Sequence, residues 1–452
     1  MAHLAHDPNK QPDNLRTMQL ASVLPMTASV VDGSLYIAGV NASMLASEYG
    51  TALYVYDEEH IRTQLSSYIK ELRSRLGNAD VAYAGKAFTC KAMARLVAEE
   101  GGWLDVSSGG ELAIALAAGF PAQHVVVHGN NKTVRELTEA IKAGVGRIVV
   151  DCHEELERTD AIAAKIGVSQ PVLLRVKPGV VADTHEFIRT GAEDSKFGFG
   201  LADGSATAAV KQAMKLSNVQ LKGLHVHIGS QIFALDSFVE TIFVMTAYLA
   251  ELRDNLGFMA EDLDLGGGLG IAYLAADAPT PIVAFAQTIS DAIIKSCEQN
   301  SLTVPRIIVE PGRSIVANAG VTLYTIGAIK ELRDIRTYVA IDGGMTDNIR
   351  TALYDASYES VIANRANEPR DTIVTLAGKH CESGDVVAID ASLQRPQVGD
   401  IVCMFATGAY CQSMANNYNR QVRPGVVFVR DGKVREVIRR ESYEDLLATD
   451  VG

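Results

Sequence analysis

The sequence predicts an α/β protein in two parts: a (β/α)₈ barrel, and an all-β module of sandwich or barrel type that also takes in strands from the N-terminus. Short apolar runs ending in small or polar residues alternate with longer amphipathic stretches over roughly 250 residues, the signature of such a barrel. Polar residues recur where those runs end, at Lys86, Asp105, His128, Arg175, His227, Gly267 and Glu310. After Arg313 the texture changes to strand-like runs punctuated by Gly, Asp and Pro, without long helices between them. A doubly wound open sheet is the alternative for the first part. Closing the strands into a ring brings the polar ends to one rim, whereas an open sheet spreads them along an edge.

In chain order, residues 1–17 are polar and read as a flexible tail. Residues 18–45 carry two short strands around Asp32-Gly33, a pair suited to a tight hairpin. The barrel is expected over 46–313 and the β domain over 314–452. Thr51–Tyr56 is a strand candidate, and Glu58–Leu76 has helical spacing, with Ile61, Leu65, Ile69, Leu72 and Leu76 on one face. The expected barrel strands are Val81–Ala84, Trp103–Ser107, Val125–Gly129, Arg147–Asp151, Val172–Val176, Leu221–Ile228, Leu263–Gly266 and Ile307–Glu310. In the β part the strands are Val321–Ala328, Thr337–Ile341, Thr372–Ala377, Val386–Ile389, Ile401–Phe405, Val426–Arg430 and Val434–Arg439, with a closing helix in Glu441–Ala448.

At 452 residues, 48% hydrophobic and 21% charged, the chain has enough material for a large core and the composition of a soluble globular protein. Its formal charge of -13 argues against a nucleic-acid footprint and for an acidic cytoplasmic enzyme. The six cysteines have neither zinc-ribbon nor disulfide-framework spacing, so reduced thiols and no metal site are expected. The N-terminus lacks the apolar run of a signal peptide, and no apolar stretch reaches the ~18 residues of a membrane span.

Lys86, in Tyr83-Ala84-Gly85-Lys86-Ala87-Phe88, ends the first barrel strand, where barrel enzymes keep their chemistry. A desolvated lysine amine there can form a Schiff base with an aldehyde; a lysine snorkelling from a strand end is the plain alternative. Gly266-Gly267-Gly268-Leu269-Gly270 follows the seventh strand, and residues without side chains let backbone N–H groups approach an anion, although such a turn is often only a tight connection. Glu310, in Glu310-Pro311-Gly312-Arg313, can face a pyridine nitrogen, or simply pair with an arginine. Two histidines, His225 and His227, share a strand face; no carboxylate or cysteine stands nearby at ligand spacing, so a ring lying against a flat cofactor is preferred to a metal, with Ser230 donating to its phosphate. His225 is read as a core histidine. Cys381, beside Glu382 and a glycine turn, is expected to be exposed and able to act as an acid. Arg350, Tyr354 and Asp355 can bind a carboxylate or amine, and Tyr410 can reach a phosphate or ring.

At these motifs the chain resembles the diaminopimelate decarboxylase family, within the alanine racemase-like (fold type III) group of pyridoxal phosphate enzymes. The likeness runs from about Ala38 to Tyr443 and rests on the Lys86 segment, His128-Gly129-Asn130-Asn131-Lys132, His227-Ile228-Gly229-Ser230-Gln231, the glycine run, Glu310–Ser314, Cys381–Asp385, and Tyr410 with Ser413-Met414 and Asn417-Tyr418-Asn419. It implies that Lys86 forms a Schiff base with pyridoxal 5'-phosphate and that His227 stacks on the ring. It further implies that Ser230, Gly267, Gly268 and Tyr410 hold the phosphate, with Asp105, Gly312 and Arg313 also in the cofactor site, and that Glu310 meets the pyridine nitrogen. Arg313, Arg350, Tyr354, Glu382 and Tyr410 would bind substrate, and Cys381 would protonate the carbon left by CO₂. The implied reaction converts meso-2,6-diaminopimelate to L-lysine, in a homodimer whose subunits lend each other Cys381 and Glu382.

Where the family usually has proline after the arginine and a Tyr-His pair after Asp-Ala, this chain has Thr351 and Ser357-Tyr358, which bears on the shape of that loop. The other readings are a decarboxylase of ornithine, arginine or lysine, an amino-acid racemase, and a non-catalytic pyridoxal phosphate-binding homologue. A racemase needs a second acid/base opposite the lysine, which the Cys-Glu pair speaks against.

Overall fold

In the computed structural model, residues 20–180 and 195–452 are described; the expected flexible tail, 1–17, lies outside them. The chain divides into two compact units, one made of Thr63–Gly270 with Pro279–Ser314, the other of the chain up to Arg62 with Ile271–Ala278 and Ile315–Gly452.

The first unit is the barrel. Its strands are Ala79–Ala84, Trp103–Val106, Val125–Val127, Arg147–Val150, Gln170–Lys177, Val219–Val226, Asp262–Asp264 and Arg306–Val309, parallel to their neighbours, with the eighth returning to the first through Ile307 opposite Ala79. All eight expected strands are present. A two-residue strand, Phe199–Gly200, adds to the fifth at its C-terminal end. Ala82, Trp103, Val126, Val149, Leu173 and Ile308, from six different strands, form one apolar cluster. Local chemistry explains where the helices begin and end. Thr133 and Glu136 form a reciprocal cap at the start of Val134–Ala143, and left-handed Gly144 ends it. At the N-terminal ends of the strands, Asp262 accepts from Arg147 Nε at 2.7 Å and Arg306 Nε at 2.9 Å, an ion cluster on the face that barrels reserve for stability.

The second unit is built on Gly320–Leu332. This strand pairs antiparallel with Leu53–Asp57, Arg336–Ile341 and Ile401–Met404, inside a sheet of nine strands. Leu53–Asp57 also lies parallel to Gly425–Arg430. The strand expected at Thr51–Tyr56 therefore exists, but as part of this sheet and not of a barrel unit starting at residue 46, because its backbone partners are here. The expected hairpin is found as Ser29–Val31 and Ser34–Ile37, with Asp32 and Gly33 both at positive φ (49° and 79°), and Val40–Asn41 extends it to three strands. These N-terminal strands join the β unit through their side chains: Val30, Leu35 and Ile37 share a core with Leu323, Phe405 and Val427. The closing helix is Tyr443–Leu447, started by a Ser442–Asp445 capping box. Helix Arg350–Tyr354 and strand Ser360–Ile362 carry no clear period in the sequence and were not expected.

Candidate active site

Five strands of the barrel send polar side chains to one place. Glu310, directly after the eighth strand and 6% exposed, receives His128 Nε2 on Oε1 at 2.6 Å and His225 Nε2 on Oε2 at 3.2 Å. An ionised carboxylate only accepts, so both Nε2 atoms carry protons. Asp105 Oδ1, from the second strand, lies 3.7 Å from His128 Nε2, and buried Asp264 ends the seventh strand. Burial lowers the His225 imidazole to about 3, against the pull of Glu310, so it is neutral near pH 7. Burial pushes the Glu310 carboxyl up, but its electrostatic interactions and hydrogen bonds with His128 and His225 prevail and hold it well below the usual range. Asp264 moves the other way: burial, then the Glu310 charge, raise it well above the usual value. The two carboxyls are thus moved in opposite directions. The ligand atoms of His128, His225 and Glu310 fall within 4.8 Å of one another, a spacing that also suits a metal ion, though the carboxylate is already shared by two N–H donors.

Lys86 sits in the single turn Gly85–Ala87 that follows the first strand. Tyr83 Oη donates to Phe88 O at 2.7 Å, and Ala84 N to Pro311 O at 3.1 Å, pinning the turn from both sides. The lysine is exposed between buried neighbours, so protein atoms alone do not supply the desolvation expected of it. Its charge nevertheless reaches the rim: among smaller effects beside burial, it favours the ionised form of Asp105 and disfavours protonation of His227, which burial places well below its usual pKa.

The glycine run is a turn that only glycine can make. Gly266 and Gly268 have φ of 64° and 132°, and a Cβ on Gly267 would lie 2.1 Å from Glu310 O. Gly266 N donates to Asp264 Oδ1 at 2.9 Å, which ties the turn to the acid pair. His227 packs beside it, its Nδ1 2.8 Å from where a Gly266 Cβ would be. Ser230 Oγ accepts from Arg313 Nη2 at 3.0 Å, so these two residues, assigned separate partners from the sequence, meet each other. Gly312 is pressed against Ala84, with 2.9 Å between its notional Cβ and the Ala84 Cβ. Lys86, Asp105, His227, Ser230, Gly267, Gly268, Glu310, Gly312 and Arg313 all belong to the barrel unit.

The remaining candidates belong to the β unit. Arg350, 7% exposed, donates from Nη1 to Tyr358 Oη at 2.6 Å, and its Cζ lies 4.8 Å from the Tyr273 ring and 5.9 Å from the Tyr354 ring. Among the described residues no carboxylate pairs with it. Cys381 and Glu382 are exposed, as the turn composition predicts; Cys381 N donates to Asn419 Oδ1 at 2.9 Å. Just before them, buried His380 Nδ1 meets Asp385 Oδ2 at 2.6 Å and anchors the turn. Tyr410 is half-buried, with φ of 63°. Sequence reasoning missed the part played by His128 and Asp264 around Glu310, and by Tyr358 and Tyr273 around Arg350. Asp264 had a readable signal, a carboxylate between Leu263 and Leu265 directly before the glycine run.

Residues 59–317 match the family model "Pyridoxal-dependent decarboxylase, pyridoxal binding domain". The diaminopimelate decarboxylase of Bacillus subtilis is 48% identical over 419 residues, covering 93% of this chain and 95% of that one. That of Staphylococcus aureus is 46% identical, covering 93% and 98%. Among solved structures, diaminopimelate decarboxylase from M. jannaschii in co-complex with L-lysine superposes with a TM-score of 0.89 at 37% identity, covering 94% of this chain and 98% of that one. Identity at this level over nearly the whole length leaves one conclusion: the chain belongs to the diaminopimelate decarboxylase family of pyridoxal-dependent decarboxylases.

Proposed function

We propose that this protein uses pyridoxal 5'-phosphate to remove CO₂ from meso-2,6-diaminopimelate, leaving L-lysine. The observation that carries the reading is Glu310, a buried carboxylate kept ionised by two histidines on the rim that also carries Lys86. The residues fit the cofactor's chemistry. Lys86 offers an amine to the aldehyde, Glu310 an anion to the ring nitrogen, and Ser230, Arg313 and the side-chain-free turn at Gly266–Gly268 offer donors to a phosphate.

Bound there, pyridoxal phosphate supplies an electron sink for the carbon that loses its carboxylate. Glu310 holds a proton at the ring nitrogen, which keeps that sink effective. His227 would lie against the ring. Arg350, a buried guanidinium with no carboxylate partner of its own among the described residues, takes the carboxylate that does not react. Cys381 Sγ delivers a proton to the carbon that CO₂ has left, and Glu382 holds the distal amine. The exposure of Cys381 and Glu382 fits their donation to a partner's site in a homodimer. The cytoplasm is the compartment we infer, since all six cysteines are free thiols. Among the described residues no helix is long and apolar enough to cross a membrane.

Measuring CO₂ release from diaminopimelate, ornithine, arginine and lysine in parallel tests the substrate. Activity on diaminopimelate alone is expected, and equal or greater turnover of ornithine would overturn the assignment. Borohydride reduction of the holoenzyme should fix the label on Lys86. Mixing Lys86→Ala with Cys381→Ala subunits should restore one working site in two if sites are shared, and no recovery would refute the sharing.

A further inference from the structure

The guanidinium of Arg350 is oriented by a chain of donors that returns to its own backbone. Nη1 donates to Tyr358 Oη at 2.6 Å, and Tyr358 Oη lies 3.9 Å from Cys411 Sγ. Cys411 Sγ donates to Asn348 Oδ1 at 3.5 Å, and the same oxygen accepts Arg350 N at 3.3 Å. The Tyr273 ring stands edge-on to Tyr358, centroids 5.5 Å apart at 88°, and also lies under the guanidinium. A buried cation surrounded by phenols and a thiol, with no counter-charge paired to it among the described residues, is a poor arrangement for stability and a good one for receiving an anion in a fixed orientation. Only Nη1 has a side-chain hydrogen-bond partner among the described residues, which leaves the rest of the planar fork for a ligand.

We propose that Tyr358 is the positioning residue of Arg350: its hydroxyl sets the plane of the guanidinium and thereby selects substrates that keep a carboxylate at the non-reacting end. Tyr358 is one of the places where the loop departs from the usual family pattern. Thr351, another, closes the same loop with its Oγ1 3.0 Å from both Ala356 O and Val387 O, which share its one proton. The inference rests on the reading that Arg350 takes the distal carboxylate of diaminopimelate, and the experiment separates the two claims.

Tyr358→Phe keeps the ring and removes only the hydroxyl. In the holoenzyme it should raise KM for diaminopimelate about tenfold with kcat within about twofold. L-Lysine, the product that retains the distal carboxylate, should lose inhibitory strength by the same factor, and cadaverine, which has no carboxylate, should not. Tyr358→His, which keeps a ring acceptor for Nη1, should recover most of the loss. In an Arg350→Gln background Tyr358→Phe should add nothing, since one interaction cannot be removed twice. If Arg350→Gln raises KM and Tyr358→Phe does not, the positioning role is wrong while the substrate reading stands. An Arg350→Gln enzyme with unchanged KM would sink both. A Tyr358→Phe enzyme that loses lysine and cadaverine affinity equally, or loses kcat in step with KM, would show that the phenol merely supports the loop.

Discussion

Replacing Glu310 with glutamine probes the reasoning about the barrel rim most directly. The change is nearly isosteric and removes one negative charge. In the native chain both carboxylate oxygens are engaged, by His128 at 2.6 Å and His225 at 3.2 Å. Glutamine retains one acceptor, and its amide nitrogen would confront an imidazole N–H. At least one charge-assisted bond of about 1.5–3 kcal/mol is therefore lost, together with the charge-assisted bond to a ring nitrogen. Taking about 3 kcal/mol as the loss that bears on the reaction, kcat should fall about two orders of magnitude. Stability at neutral pH should change by only about 1 kcal/mol, because the Glu310 charge also burdens Asp264, and its removal relieves that. The assay is CO₂ release at saturating substrate, with cofactor absorbance recorded on the same samples and thermal unfolding alongside. A Glu310→Gln enzyme with kcat within about twofold of native and unaltered absorbance would refute the assignment of Glu310 to the ring nitrogen.

The remaining expectations concern the same barrel. His225 has its pKa lowered from 6.5 to about 3, so its contribution to stability is fully present above 6.5 and is lost as pH falls toward 3. Denaturant midpoints should accordingly drop between pH 7 and pH 4, and His225→Gln should flatten that slope; an unchanged slope would argue against a buried neutral imidazole. Gly267→Ala would drive a Cβ to 2.1 Å from Glu310 O, so the turn must shift by a large fraction of an ångström. We expect kcat/KM to fall about 100-fold with the unfolding temperature less affected, and near-native kinetics would mean that the turn is not part of the site. Asp262→Ala strips the shared carboxylate from Arg147 and Arg306 on the opposite face, leaving Arg147 its 2.7 Å bond to Gly146 O and Arg306 its 3.3 Å contact to Asp80. A loss of ~3–5 kcal/mol in unfolding free energy with kcat unchanged is expected from calorimetry and assay together.

The elements read most clearly from the sequence are those whose signals are local. The eight barrel strands declare themselves through short apolar runs, each closed by a residue too polar to continue them, and the Asp32-Gly33 hairpin through two residues that accept positive φ. Glu58–Leu76 is helical over the span its period indicates, with Ile61, Leu65, Ile69 and Leu72 buried. Candidate chemistry at Lys86 and Glu310 was visible for the same reason, since a charged residue ending an apolar strand stands out.

Only the tertiary structure decided which residues work together. Nothing near Leu53–Asp57 says that its backbone partners are Gly320–Leu323 and Gly425–Val429, because a strand's hydrogen bonds are satisfied by whichever edge the fold brings alongside. His128 meets Glu310 across 182 positions of chain, and Arg350 meets Tyr273 from a separate segment, so the charge state of one and the orientation of the other were invisible to any local pattern. Composition and periodicity determined that the chain is a barrel with a β module and where its reactive groups end their strands. Burial and distance, which follow from the closed ring, determined the opposite pKa shifts of Glu310 and Asp264 and the neutral state of His225.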